Sequence, residues 1–176
     1  MLGLLAWGLP AVDLSLGLGY GTRSVADDQI KDVYGSGSAY FPYAAVGIWK
    51  GLFAGLGYEF GYERDGRIGL YQEETNLKVT GLEFFAGYRL DLGKISPYVK
   101  LGLGNYSYEQ TVSGESKVDG KKSSVTLAGG AKFYPAKGLF LAAEIKYVPL
   151  KVKPMDFEVD LGGMRLAAGI GYTFNL

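Results

Sequence analysis

Across residues 52–64 the chain sets Leu52, Ala54, Leu56, Tyr58, Phe60 and Tyr62 at every second position, with Phe53, Gly55, Gly57, Glu59, Gly61 and Glu63 between them. A period of two marks a strand whose two faces meet different surroundings. A helix of 3.6 residues per turn would mix these two sets on its surface. The chain is therefore expected to build a sheet with one apolar face and one face of small and charged residues.

The alternation recurs along the whole length. Residues 12–22 set Leu14, Leu16, Leu18 and Tyr20 against Asp13, Ser15, Gly17, Gly19 and Gly21. Residues 43–50 follow less cleanly, with Ala44, Val46 and Ile48 opposite Ala45, Gly47 and Trp49. Residues 76–90 oppose Leu82, Phe84, Ala86, Tyr88 and Leu90 to Gly81, Glu83, Phe85, Gly87 and Arg89. In residues 97–109, Val99, Leu101 and Leu103 oppose Lys100, Gly102 and Gly104, after which Tyr106 and Tyr108 fall out of phase. A bulge near Asn105 is expected to return those tyrosines to the apolar face. Residues 124–134 and 138–148 add two strands, with Lys132 on the small face of the first and Phe140, Glu144 and Lys146 on that of the second. The last strand closes the chain as LAAGIGYTFNL, with Leu166, Ala168, Ile170, Tyr172, Phe174 and Leu176 in phase and Arg165 on the opposite face.

Connections alternate in length. Lys50-Gly51, DLGKIS and PAKG are short, whereas residues 23–39, 65–75, 110–123 and 149–162 are long and polar. An even number of antiparallel strands with short turns at one end and long loops at the other describes an up-and-down barrel. The expected fold class is all-β: an eight-stranded antiparallel up-and-down transmembrane β-barrel over residues 12–176. Residues 1–11, MLGLLAWGLPA, form an apolar N-terminal segment, read as a signal remnant or as the periplasmic end of the barrel. No run of about 20 apolar residues is present, which excludes a spanning helix and says nothing against a barrel.

A barrel of about eight strands has an interior just wide enough for side chains, so the glycine-bearing face points inward and the apolar face meets lipid. The inner face then carries Asp13, Glu59, Glu63, Glu83, Arg89, Lys100, Lys132, Glu144, Lys146 and Arg165. Acids and bases confined together pair with one another, and this lumen charge network is read as structural. Tyr20, Tyr58, Tyr62, Tyr88, Tyr147, Tyr172 and Phe174 fall near strand ends, where rings with a polar edge form the aromatic girdles of a membrane barrel.

The 18 basic and 18 acidic residues cancel, which argues against nucleic acid as a partner. The chain has no His and no Cys, so no Ser-His or Cys-His arrangement is available and no zinc site of the usual kind. No enzyme activity, cofactor or metal is expected. The pieces GLGYG, GLGYEFG and GLGNYS lie inside alternating strands and do not open helices as phosphate-binding loops do. Asp27, Asp28 and Asp32 in the first loop lack calcium-loop spacing. Lys117, Lys121 and Lys122 in the third loop carry the charge to meet lipopolysaccharide phosphates, but for both loops a plain solvated loop is the expectation.

With this pattern and its closing GIGYTFNL, the sequence resembles the small eight-stranded outer-membrane barrels of Gram-negative bacteria, of the OmpA-barrel, OmpX and opacity-protein type. The resemblance implies residence in the bacterial outer membrane, contact with outer-membrane lipid and lipopolysaccharide, and insertion by the barrel-assembly machinery, which reads an aromatic-rich last strand. It implies a structural or surface-interaction role, in adhesion or envelope support, with a ligand or protein partner met through four external loops. The alternative is a narrow OmpW-like channel for small molecules, which needs a lumen left open by the inner charges and by Phe53, Phe85 and Phe140.

Overall fold

The computed structural model describes residues 12–112, 117–153 and 158–176, so the N-terminal segment 1–11 lies outside the described residues. Eight strands close into an antiparallel barrel: β1 (Asp13–Arg23), β2 (Gly37–Trp49), β3 (Leu52–Ile68), β4 (Glu73–Arg89), β5 (Ile95–Val112), β6 (Val118–Phe133), β7 (Leu139–Val148) and β10 (Gly163–Asn175). The first long connection holds a short helix, α1 (Asp28–Tyr34), and the last holds a two-stranded ribbon of β8 (Lys151–Val152) and β9 (Val159–Asp160). The seam pairs every residue of β1 with β10, from Asp13↔Asn175 to Arg23↔Arg165. No unpaired edge remains there to recruit another chain.

Alternation sorts the side chains as the pattern requires. Leu16, Leu18, Leu56, Phe84, Leu101, Leu127, Ile145 and Leu166 stand exposed on the outer wall, while Ser15, Phe53, Glu83, Phe85, Thr126 and Phe140 are buried inside. Glycines on the inner face are seats for large neighbours. A Cβ at Gly81 or Gly104 would enter the Tyr106 ring, one at Gly55 the Phe85 ring, and one at Gly171 the Phe140 ring. The small face is thus half of a packed interior, and the missing side chains are replaced by rings from the same or an adjacent strand.

At the short-turn end, Lys50 and Gly51 both take positive φ, of 42° and 89°, which lets two residues reverse the chain between β2 and β3. At the other end the barrel is uneven. Strands β3 to β6 run 17, 17, 18 and 16 residues, whereas about 9–11 suffice to cross a bilayer. They continue as a wall standing on the order of 15–20 Å above the crossing segment, given a rise near 3.3 Å per residue and a tilt near 40°. Loops expected over residues 65–75 and 110–123 are therefore mostly paired strand.

The mouth inside this wall is filled. Asp27 caps α1 by accepting from Gln29 N (3.0 Å) and Ile30 N (3.2 Å). At its far end the Tyr34 hydroxyl meets Thr75 Oγ1 at 2.8 Å and accepts from Gln110 Nε2 at 2.8 Å. The first and last connections are laced together, with Ala26 N donating to Gly162 O (2.9 Å) and Asp27 N to Asp160 O (3.2 Å). Val25, Tyr34, Leu77, Val79, Val148, Leu150, Val152 and Leu161 form one buried apolar cluster there.

Candidate functional site: a layered lumen beneath a capped mouth

Strict alternation along β1 carries Arg23 inward at the top of the barrel, level with Arg165 across the seam. Glu59 from β3 meets both: one oxygen lies 3.4 Å from Arg23 Nη1 and the other pairs with Arg165 Nη1. Arg23 Nη2 also donates to Leu161 O at 2.7 Å, which ties the lumen to the cap. Two guanidiniums share one carboxylate and stand against aromatic faces, and Arg23 Nε, Arg165 Nε and Arg165 Nη2 have no hydrogen-bond partner among the described residues. Arg23 lies 4.8 Å from the Tyr62 ring centroid and Arg165 5.1 Å from that of Tyr106.

Below this layer Lys146 donates to Glu83 at 2.7 Å, and the Thr126 hydroxyl donates to the same carboxylate. Next, Glu144 accepts from Lys100 and from the Tyr98 hydroxyl, each at 2.7 Å. A knot of rings fills the space around them. Phe53 packs edge-on against Phe85 (6.2 Å) and Tyr98 (6.1 Å), and Tyr43 lies 6.5 Å from both Phe85 and Phe140. At the short-turn end Arg89 makes a two-pronged pair with Asp13 and also reaches Asp91 at 3.6 Å. Lys132 donates to Ser15 Oγ at 3.3 Å. The space left over includes two small cavities of about 50 and 20 Å³.

Nine of the ten residues read as a lumen charge network thus face the interior. Glu63 does not. Gly61, at a φ of 90°, breaks the β3–β4 register between Glu59 and Tyr62, and the strand resumes with its faces exchanged. Glu63 therefore stands exposed on the outer wall opposite Lys78, accepting a long bond from Asn76 Nδ2 at 3.5 Å.

The same break corrects the expectation for Tyr62, which is not a girdle residue but is fully buried against Arg23. The bulge expected near Asn105 is absent, since β5 keeps an unbroken register with β4 and β6. Tyr106 accordingly lies inside at 1% exposure, and Tyr108 packs against the mouth cluster. Arg23, Tyr106 and Tyr43 are lumen residues that sequence reasoning missed. An uninterrupted period of two on β1 and β5 is the signal that places the first two inside.

The other six girdle residues are on the outer wall. Tyr20, Tyr40, Phe60 and Tyr58 form a continuous ring stack at the long-loop end, with centroids 5.2, 5.4 and 5.9 Å apart, and Tyr147 lies at the same end of β7. Tyr88, Tyr172 and Phe174 mark the short-turn end, joined by Trp49. Two aromatic belts bound an apolar band, which is the outer surface of a transmembrane barrel.

Of the loop residues, Asp27 is occupied as the helix cap, and Asp28 and Asp32 are exposed. Lys117 pairs with Glu109 at 2.7 Å, a contact that holds its ammonium pKa above the ordinary lysine value. Lys121 and Lys122 are exposed on the wall of β6. Beyond these stands the tip of the β3–β4 hairpin, where Leu70 is 98% and Tyr71 89% exposed.

The family model described as outer membrane protein beta-barrel domain matches residues 6–174. Among solved structures, the chain is similar to Neisserial surface protein A at 16% identity, over 93% of this chain and 97% of that one, with a TM-score of 0.62. It is similar to Ail, the attachment invasion locus protein of Yersinia pestis, in complex with the heparin analogue sucrose octasulfate, at 16% identity over 93% and 99% of the two chains, TM-score 0.61. It is also similar to the outer membrane protein OprG from Pseudomonas aeruginosa, at 12% identity over 96% and 98%, TM-score 0.75. At such identities the likeness is one of fold. No curated protein matches the chain.

Proposed function

Since the chain belongs to the outer membrane protein β-barrel domain family and resides in the bacterial outer membrane, we propose that it works as a surface-interaction protein whose barrel is a closed anchor. One observation carries this reading. The β3–β4 hairpin lifts Leu70 and Tyr71 clear of the barrel, while loops that could have guarded a pore are packed into its mouth as a plug. Leu70 and Tyr71 bury almost nothing against the rest of the fold, and a Leu-Tyr pair raised above the membrane offers an apolar surface with one polar handle to a partner. The neighbouring Ail structure holds a sulfated sugar, and a carbohydrate or a matrix protein is the class of partner this tip would meet.

The protein's remaining contacts follow from its surroundings. On this reading Lys121, which projects from β6 above the apolar band, would meet lipopolysaccharide phosphates, and the aromatic end of β10 the assembly machinery. No catalytic step is assigned to a chain lacking His and Cys. The channel alternative would need a path past Phe53, Phe85 and Phe140, and all three are packed into the lumen.

Cells carrying the protein test the proposal by their adhesion to immobilised heparin and to immobilised matrix protein. The double substitution Leu70→Ser with Tyr71→Ser is expected to lower adhesion to one of these surfaces at least tenfold while leaving the amount of folded barrel unchanged. Adhesion indifferent to the substitution, or absent for both surfaces, would count against the reading.

A further inference from the structure

Among the described residues the charges of the lumen do not balance. Arg23, Arg89, Lys100, Lys132, Lys146 and Arg165 face inward against Asp13, Glu59, Glu83 and Glu144. In the upper layer the excess is met only in part, by the Tyr62 and Tyr106 rings and the Leu161 carbonyl, while Arg23 Nε, Arg165 Nε and Arg165 Nη2 have no hydrogen-bond partner among the described residues. At the lower end the excess falls on Lys132. The nearest acids are engaged elsewhere, Asp13 by both prongs of Arg89 and Glu144 by Lys100 and Tyr98. Among the described residues no carboxylate lies within 4.0 Å of the Lys132 ammonium, which is left with the Ser15 hydroxyl at 3.3 Å and the Phe140 ring at 4.2 Å. The Tyr43 ring is shared, 5.7 Å from Lys132 and 5.9 Å from Lys100.

Lys132 borders the cavity of about 20 Å³, and so do Lys100, Arg89, Ser15 and Tyr43, with Glu144 the sole acid on its lining. That volume exceeds the 10–15 Å³ a single water needs, and it suits one small ion stripped of its shell. A cation there would meet three positive groups. A water would leave the buried ammonium uncompensated, an arrangement that burial penalises heavily.

We propose that this cavity is a binding site for a single monovalent anion of halide size, chloride in the cell, held by Lys132 with Arg89 and Lys100 around it. The ion completes the charge balance of the lower lumen and locks β6 to β1 through Ser15. The site is a structural one and independent of what the external loops bind.

Crystals of the refolded barrel grown in sodium bromide give the direct test. An anomalous peak about 3–3.5 Å from Lys132 Nζ is expected, at hydrogen-bonding distance from its donors, and Lys132→Met, which keeps an unbranched stem against Phe140, is expected to abolish it. In detergent at constant ionic strength, the wild type should melt a few degrees higher in chloride than in gluconate, which is too large for the cavity. Lys132→Met should melt alike in both. A bromide map with peaks on the outer surface only would overturn the proposal, as would an equal chloride response in the two proteins. Should Lys132→Met fail to refold, the wild-type bromide map decides alone.

Discussion

Glu59 and Glu63 lie four positions apart in one strand, and they separate what alternation predicts from what a single bulge changes. Glu59 is 3% exposed and is the carboxylate for both Arg23 and Arg165. Removing it leaves two guanidiniums facing each other in a dry layer, a loss of about 3–5 kcal/mol for a broken buried pair. Glu63 looks across solvent to Lys78, where one exposed pair is worth about 0–1 kcal/mol. Urea unfolding of the barrel in micelles is expected to show Glu59→Ala shifted by several kcal/mol and Glu63→Ala within about 0.5 kcal/mol of the wild type. Equal shifts would place Glu63 back inside and remove the register break from the account. The bulk of Tyr106 makes the same point from the other side of the wall: it fits only because Gly81 and Gly104 leave the room, so their lack of a side chain is a packing requirement.

At the level of elements, strands were legible and caps were not. The eight crossing segments follow from a period of two, because a barrel wall gives each strand one lipid face and one lumen face along its whole length. The Gly61 bulge left no mark beyond one more glycine in a glycine-rich strand, and the irregular phase of Tyr106 and Tyr108 pointed to a bulge on the wrong strand. The cap was less legible still. Val25, Ile30, Val33, Leu150, Val152 and Leu161 occur at irregular spacings inside polar stretches, and only the pairing of two distant connections makes them one cluster. The cluster joins these residues to Tyr62, Leu77, Val79, Tyr106 and Val148 of the barrel strands, and its loop-borne part is expected to open locally before the continuous ladder below. Leu150 is fully buried there. With Leu150→Asn, protease cleavage within residues 149–162 is expected to accelerate at least tenfold, while the unfolding midpoint of the barrel moves little. A large fall in that midpoint would show instead that cap and barrel unfold as one.

For the whole molecule, the decisive property is that three closures stand in series along the axis. The cap comes first, then the layer of Arg23, Glu59 and Arg165 with Tyr62 and Tyr106, then the rings of Phe53, Phe85 and Phe140. In a series path the tightest layer sets the flow, so loosening one layer is not expected to open the lumen. The middle layer is also bound into the ladder, through Arg23↔Arg165 at the seam, and its contact with the cap is the bond from Arg23 Nη2 to Leu161 O. Leu150→Asn, which frees the cap, and Phe53→Ala with Phe85→Ala, which empties part of the ring layer, are each expected to give planar bilayers no single-channel steps beyond those of the wild type. Steps appearing with Leu150→Asn alone would make the cap a gate over an open lumen and the molecule a channel. Their absence in both variants, with adhesion still dependent on Leu70 and Tyr71, leaves the barrel as the support and its tall wall as the working surface.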